Sequence, residues 1–294
     1  MKPAPFTYHA PSNVEDLIQL LGSLEDVKLL AGGQSLMPMM NFRYITPEHV
    51  IDLNRIEALS GINIDDDLVT VGAMTRQHML LEHAVLGARC PLIKAALTHV
   101  GHLATRNRGT IGGSLVHLDP AAELPAVLAT LDANLTVNGP DGKRTVAMSD
   151  WSIDYMMPDL AENEWLEAVG FRLPAEPHGC GFHEMARRHG DFAVAGCAAQ
   201  LKFDSDGSVN TARVTVLGVG VAPVRLLEAE HLLQGQQPTR ELVEQAAACI
   251  ANITIEIEDI HASPDYRRKV AGVMVRRALG DAASLDVILT NNRA

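Results

Sequence analysis

Residues 106–128 read RNRGTIGGSLVHLDPAAELPAVL, and the fold is decided on this stretch. Within it, Arg108-Gly109-Thr110-Ile111-Gly112-Gly113-Ser114 sets a Gly-Gly pair beside apolar sequence and closes on a hydroxyl. Ala31-Gly32-Gly33-Gln34-Ser35 repeats the arrangement at the end of a short apolar run. Glycine admits positive φ and lets a ligand approach the backbone closely. Successive N–H groups then converge into an anion-binding nest, to which Ser35, Thr110 and Ser114 add hydroxyl donors. One N–H bonded to a charged oxygen contributes about 1.5–3 kcal/mol. About four account for the roughly 8 kcal/mol of micromolar affinity, before ordering costs. A Gly-Gly turn that is only a turn is the competing reading of each segment alone. Neither segment has the G-x-G-x-x-G or G-x-x-x-x-G-K-[ST] spacing, which argues against Rossmann and P-loop folds. Two such loops together point toward a pyrophosphate gripped from two sides.

Outward from these loops the chain alternates strands and helices. Ser12 as a cap, Glu15 three residues on, and an apolar face of Val14, Leu17, Ile18 and Leu21 predict a helix from Pro11 to Leu21 that stops at Gly22. Val27 to Ala31 and Val50 to Leu53 predict short strands, closing a β-α-β lobe near residue 55. The next lobe opens with a strand at Leu68 to Gly72, a helix from Thr75 to Ala84 and another from Leu92 toward Gly101. A glycine turn is expected at Gly112-Gly113. A helix capped by Asp119, with Pro120 in its first turn, is expected to run through Leu131. Gly139-Pro140-Asp141-Gly142 signals a hairpin, and Leu166 to Phe171 reads as a strand. Pro174 to Pro177 reads as a linker. Strands at Phe192 to Phe203 and Val209 to Val219, joined by a turn at Asp204 to Gly207, lead into helices at Leu226–Leu233, Arg240–Ile250 and Tyr266–Leu279. The expectation is an α+β chain in three lobes: 1–55, 56–173 and 178–290.

Composition narrows the function. At 294 residues the chain needs two or three domains. Aromatics are 4%, so the core must be built from Ala, Val, Leu and Ile. A net charge of −12 would repel a phosphate backbone, which argues against a nucleic-acid partner. No run reaches the roughly 18 apolar residues of a membrane span. Met1 to Phe6 lacks an apolar signal core, so a cytoplasmic location is the default expectation. Cys90, Cys180, Cys197 and Cys249 form no C-x-x-C pair, and they are too few to ligate two [2Fe–2S] clusters at about four cysteines each. His9, His49 and His231 read as ordinary surface or satisfied histidines. No Ser-His-Asp set or carboxylate pair suggests acid–base chemistry, and no catalytic or metal-ligating residue is assigned.

Several further stretches carry a resemblance: AGGQSLMPMMNFR (31–43), TPEHVIDLNRI (46–56), VGAMTR (71–76), HGDFAVAGCAA (189–199) and SPDYRRKVAGVMVRRAL (263–279). With residues 106–128, these resemble the medium, FAD-binding subunit of molybdenum hydroxylases over essentially the full length. That family includes xanthine dehydrogenase relatives, N-heterocycle hydroxylases and aerobic carbon monoxide dehydrogenase. The resemblance implies a two-lobed FAD-binding fold of the PCMH type, followed by a C-terminal lobe with a small antiparallel sheet and helices. It implies noncovalent FAD with its pyrophosphate held by Ala31, Gly32, Gly33, Gln34, Ser35 and Leu36 and by Thr110, Ile111, Gly112, Gly113 and Ser114. It also implies a flavin side-chain contact from Asp119, which would alternatively cap a helix, and a ring shield from Phe192, which would alternatively be a core residue opening a strand. The implied partners are a large subunit with the molybdopterin cofactor and a small subunit with two [2Fe–2S] clusters, in a dimer of heterotrimers. Gln34 stands where the carbon monoxide enzymes tend to have His, a pointer toward an N-heterocycle or aldehyde substrate. The basic stretch Tyr266 to Arg277 is either a docking surface or a solvated helix face. A self-sufficient oxidase of the vanillyl-alcohol type is the alternative function.

Overall fold

The computed structural model describes residues 1–284; the end of the expected third lobe, 285–290, lies outside the described residues. Two compact units are present. One comprises Met1–His83, Gly101–Leu118 and Asp132–Leu173; the other comprises Ala84–Val100, Asp119–Leu131 and the chain from Pro174 on.

The first unit holds two sheets. Three parallel strands pair in the order Thr7–His9, His49–Asp52, Val27–Leu30. Parallel neighbours need crossover connections, and helices Val14–Ser23 and Leu36–Asn41 lie in them. Asn13, not Ser12, caps the first helix: its side chain accepts from Asp16 N at 2.8 Å. Asn caps as well as Ser, and this start turns Leu17 and Leu21 inward. Gly22 lies inside the helix rather than stopping it. The second sheet is antiparallel, in the order Ile62–Asp65, Leu68–Gly72, Trp165–Arg172, Asn134–Gly139, Gly142–Ala147. The expected hairpin closes with Gly139 opposite Gly142, and Gly142 takes φ +97°. Leu17, Leu21, Ile51, Ile56, Leu59 and Trp165 share one core, so sequence on both sides of residue 55 packs together in this unit.

The second unit is built on an antiparallel sheet, His178–Ala186, Ala193–Phe203, Val209–Leu217, Val224–Arg225. The strand His178–Ala186 was not anticipated. It has no β-branched residue and carries Gly179 and Gly181, which read as breakers. Both glycines lie flat under helix Pro264–Ala282: a Cβ on either would overlap the helix carbonyls of Ala282 or Ala278. The same helix spends two of its arginines internally. Arg267, 4% exposed, donates to Gly218 O at 3.1 Å and to Asp259 at 2.7 Å. Arg268 donates to Ile253 O at 2.6 Å. Within the basic stretch Arg267 and Arg268 are therefore clamps, while Lys269 stays exposed. Among the described residues, no helix is long and apolar enough to cross a membrane.

Candidate functional site

Strand Val27–Leu30 delivers Ala31 and the first glycine loop at its C-terminal end. Gly33 sits at φ +73°, in the left-handed region that glycine enters without penalty. Gln34 closes the turn on itself, Nε2 donating to Gly32 O at 3.2 Å. Ser35 precedes helix Leu36–Asn41 and makes no capping bond. Among the hydrogen bonds of the described residues, the amides of Gly33, Gln34, Ser35 and Leu36 donate to no acceptor in the chain. Four adjacent unsatisfied N–H groups, with no side chain on residues 32 and 33, form the kind of donor set an anionic group completes.

The second loop differs. Gly112 and Gly113 are not a free turn but the start of helix Ile111–His117, capped by Thr110, whose Oγ1 accepts from Gly113 N at 3.0 Å. Every amide from Ile111 to Ser114 is already satisfied: Ile111 N on Thr75 O (3.1 Å), Gly112 N on Ala73 O (2.8 Å), Gly113 N on Thr110 Oγ1 and Ser114 N on Thr110 O (3.2 Å). Thr110, Ile111 and Gly112 are buried, while Gly113 and Ser114 are half-buried. A Cβ on Gly112 would lie 2.6 Å from Ala73 Cβ, so this glycine serves packing. What the loop turns outward is the bare Cα of Gly113 and the Ser114 hydroxyl. That hydroxyl accepts from Gln77 Nε2 at 3.0 Å, which leaves its own proton to donate.

The structure brings the two loops together. A Cβ on Gly32 would overlap the Arg108 carbonyl and come within 2.8 Å of Gly109 Cα, and one on Gly113 would lie 3.8 Å from Ala31 Cβ. Three residues missed in the sequence brace the meeting point: Asn54, Arg76 and Gln77. Asn54 Nδ2 donates to Ala31 O at 2.9 Å. Arg76 donates to the Arg108 carbonyl and to Asn54 Oδ1, and Gln77 N donates to Gly109 O at 2.9 Å. Burial, and after it the charge of Arg108, hold the Arg76 guanidinium below its ordinary pKa, with Asp52 opposing. The only sequence signal was the place of Asn54 and Arg76 inside the DLNR and VGAMTR stretches; Gln77 lies one residue past the second.

Asp119 and Phe192 belong to the second unit. Asp119 does not cap the helix that follows: Oδ1 accepts from Ala121 N at 2.8 Å and closes a short turn, and the helix begins later, at Glu123–Thr130. Asp119-Pro120 favours that turn, so the helix start moves three residues on. Phe192 is 73% exposed and precedes strand Ala193–Phe203, so it is not a core phenylalanine. In the same unit, the Glu184 side chain is 4% exposed and pairs with His99 at 3.4 Å. Burial, reinforced by the Glu184 and Asp119 charges, pushes the Glu123 carboxyl up to about 8.

A parallel βαβ sheet and an antiparallel sheet sharing one core, with a nest of free amides braced against a helix that opens on Gly112 and Gly113, define a flavin-nucleotide-binding subunit. Residues 4–175 match the FAD binding domain in molybdopterin dehydrogenase, and residues 181–282 match the CO dehydrogenase flavoprotein C-terminal domain. The chain belongs to the FAD-binding medium subunits of the molybdenum hydroxylases. It is 39% identical to the carbon monoxide dehydrogenase medium chain of Hydrogenophaga pseudoflava, over 96% of this chain and 98% of that one. It is 36% identical to the 6-hydroxypseudooxynicotine dehydrogenase complex subunit alpha of Paenarthrobacter nicotinovorans, over 96% of each. A solved structure of the Hydrogenophaga pseudoflava carbon monoxide dehydrogenase, which lacks the Mo-pyranopterin moiety of its cofactor, superimposes with a TM-score of 0.93 at 38% identity. It covers 97% of this chain and 99% of that one. The cofactor of this chain is accordingly FAD, and the chain is the flavin component of a molybdopterin-dependent dehydrogenase.

Proposed function

We propose that this chain relays electrons within a three-subunit hydroxylase. A small partner subunit with two [2Fe–2S] clusters delivers them, and a large partner with the molybdopterin cofactor hydroxylates the substrate. Bound FAD supplies the chemistry that takes electrons singly and releases them in pairs to an external acceptor. The chain's own residues bind and orient. Ala31, Gly32, Gly33, Gln34, Ser35 and Leu36 line the pyrophosphate from the amide side. Thr110, Ile111, Gly112 and Gly113 build the opposite wall, from which Ser114 donates. Asp119 meets the flavin side chain and Phe192 covers the ring. The observation that carries this reading is the run of four acceptor-free amides at Gly33–Leu36 beside a helix start whose amides are all spent.

The substrate in this reading is an N-heterocycle or an aldehyde rather than carbon monoxide, on the strength of Gln34. The assembly is a dimer of heterotrimers in the cytoplasm. Co-expression with a large molybdopterin-binding subunit and a small iron–sulfur subunit, followed by sizing and metal analysis, tests the reading. The expected result is a three-subunit complex whose flavin absorbance bleaches only when substrate and both partners are present. A single chain that oxidises an organic substrate by itself would overturn it in favour of the vanillyl-alcohol oxidase type.

A further inference from the structure

The contacts proposed for FAD give no role to Asn54 or Arg76, yet these two side chains connect the glycine loops. Asn54 lies just past strand His49–Asp52, in the turn Leu53–Arg55. Its Nδ2 donates to the carbonyl of Ala31, the residue that leads into Gly32, at 2.9 Å. Its Oδ1 accepts from Arg76 Nη2. Arg76 Nη1 donates to the carbonyl of Arg108, the residue that leads into Gly109. A continuous bridge therefore runs from Ala31 O through Asn54 and Arg76 to Arg108 O. Each end grips the backbone of one loop immediately before its first glycine. The bridge crosses the point where Gly32 has no room for a Cβ against Arg108, so both loops are pinned where they touch. Asn54 is itself fixed, its N–H donating to Asp52 Oδ1 at 2.9 Å, while Asp52 Oδ2 accepts from Tyr8 at 2.6 Å. A planar guanidinium spans two acceptors in fixed directions, which a lysine ammonium on its flexible stem does not.

We propose that Asn54 and Arg76 are positioning residues that set the spacing between the two loops and thereby the affinity for the FAD pyrophosphate. This rests on the FAD site described above. The amides of Gly33–Leu36 and the hydroxyl of Ser114 come from different loops, and both reach one ligand only while the loops keep their separation. Hydrogen bonds near 2.9 Å weaken quickly as the donor recedes. A drift between the loops therefore costs bonds on one side of the ligand without removing any residue that touches it.

The test uses the full-length protein, stripped of FAD and titrated back while flavin fluorescence quenching is followed. Wild type, Asn54→Ala, Arg76→Met, Arg76→Lys and the Asn54→Ala/Arg76→Met double variant are compared, with thermal unfolding of each apoprotein alongside. Loss of about one charge-assisted bond to the ligand predicts about ten- to a hundredfold weaker FAD binding in each non-conservative single variant. Apoprotein melting temperatures should stay within about 5 °C of wild type. Arg76→Lys should recover part of the affinity, and the double variant should bind no worse than the weaker single one, because both changes break the same bridge. Wild-type affinity in both non-conservative single variants overturns the proposal, as does a double variant whose loss is the product of the two. If Arg76→Met does not fold, Arg76→Lys and Asn54→Asp carry the test with the same readings. A wild-type protein that takes up no FAD would instead overturn the FAD site itself.

Discussion

Replacing Gly33 by alanine puts the donor nest at risk while changing one carbon. Gly33 holds φ +73°, where an L-residue costs about 1–2 kcal/mol. The new Cβ would sit 3.2 Å from Leu30 Cδ1 and 3.3 Å from Met37 Cγ, tight contacts with side-chain atoms that give by a few tenths of an ångström. Crowding is thus the smaller problem and backbone conformation the larger. The loop's escape is to carry residue 33 out of the left-handed region, which turns the following amides away from their common focus. Each amide lost from a charged oxygen removes about 1.5–3 kcal/mol, so one lost bond weakens FAD binding about ten- to a hundredfold. The apoprotein, whose loop relaxes freely, should lose less than about 2 kcal/mol. Fluorescence titration of the stripped protein reads the first quantity, and thermal unfolding of the apoprotein reads the second. Gly22→Ala is the control: its Cβ meets nothing within 4 Å, and it lies inside helix Val14–Ser23. That change should raise stability by about 0.5–1 kcal/mol and leave FAD binding alone. A Gly33→Ala protein with wild-type FAD affinity and a lowered melting temperature would refute the nest and make the left-handed turn purely structural.

FAD should leave the chain on treatment with acid or heat; flavin that stays with the denatured polypeptide would disprove noncovalent binding. Phe192→Ala should shift the absorption or the reduction potential of bound flavin with little change in melting temperature, since the side chain is 73% exposed; an unchanged spectrum and potential would remove it from the flavin site. Glu123 keeps its proton up to about pH 8 in the folded chain but gives it up in the usual carboxylate range when unfolded. The folded state therefore holds the extra proton between those limits, and this group's contribution to stability is greatest below them and falls as pH rises toward 8. Glu123→Gln should accordingly gain stability over wild type as pH is raised from about 5 to about 8, and parallel melting curves would show that the carboxyl titrates normally.

Much of the fold was readable because its signals are local. The hairpin at Gly139–Gly142 and the strand Leu68–Gly72 follow from turn chemistry and alternation. What escaped was set by tertiary packing. Strand His178–Ala186 is invisible to propensity because Gly179 and Gly181 are there for the helix above them. The Asp119 turn defeated a capping rule that works when the helix starts at once. Arg267 and Arg268 looked like a charged face, because burial of an arginine between carbonyls leaves no periodic trace. In the site, the glycine loops were legible as a chemical pattern. Asn54, Arg76 and Gln77 were not, since their partners lie more than 20 residues away in sequence.

The two glycine loops look alike as strings and differ as physics. In the first, the glycine that matters is Gly33, whose positive φ leaves the amides that follow it without partners. In the second, Gly112 and Gly113 are helical, and their amides close on Ala73 and Thr110. One loop is a donor that awaits an acceptor, and the other is a finished surface that admits close approach. An anion held between two open nests would leave many buried donors unpaired whenever it departed, each costing about 1–3 kcal/mol. One open nest against a satisfied wall confines that cost to a single short segment, Gly33–Leu36, at the half-exposed end of a strand. On this account the stripped chain should stay folded without its flavin, and thermal unfolding of the apoprotein checks it. The second glycine pair is needed for a different reason: helix Ile111–His117 lies on Ala73 without a gap, and it sits close enough to the first loop to serve as its wall.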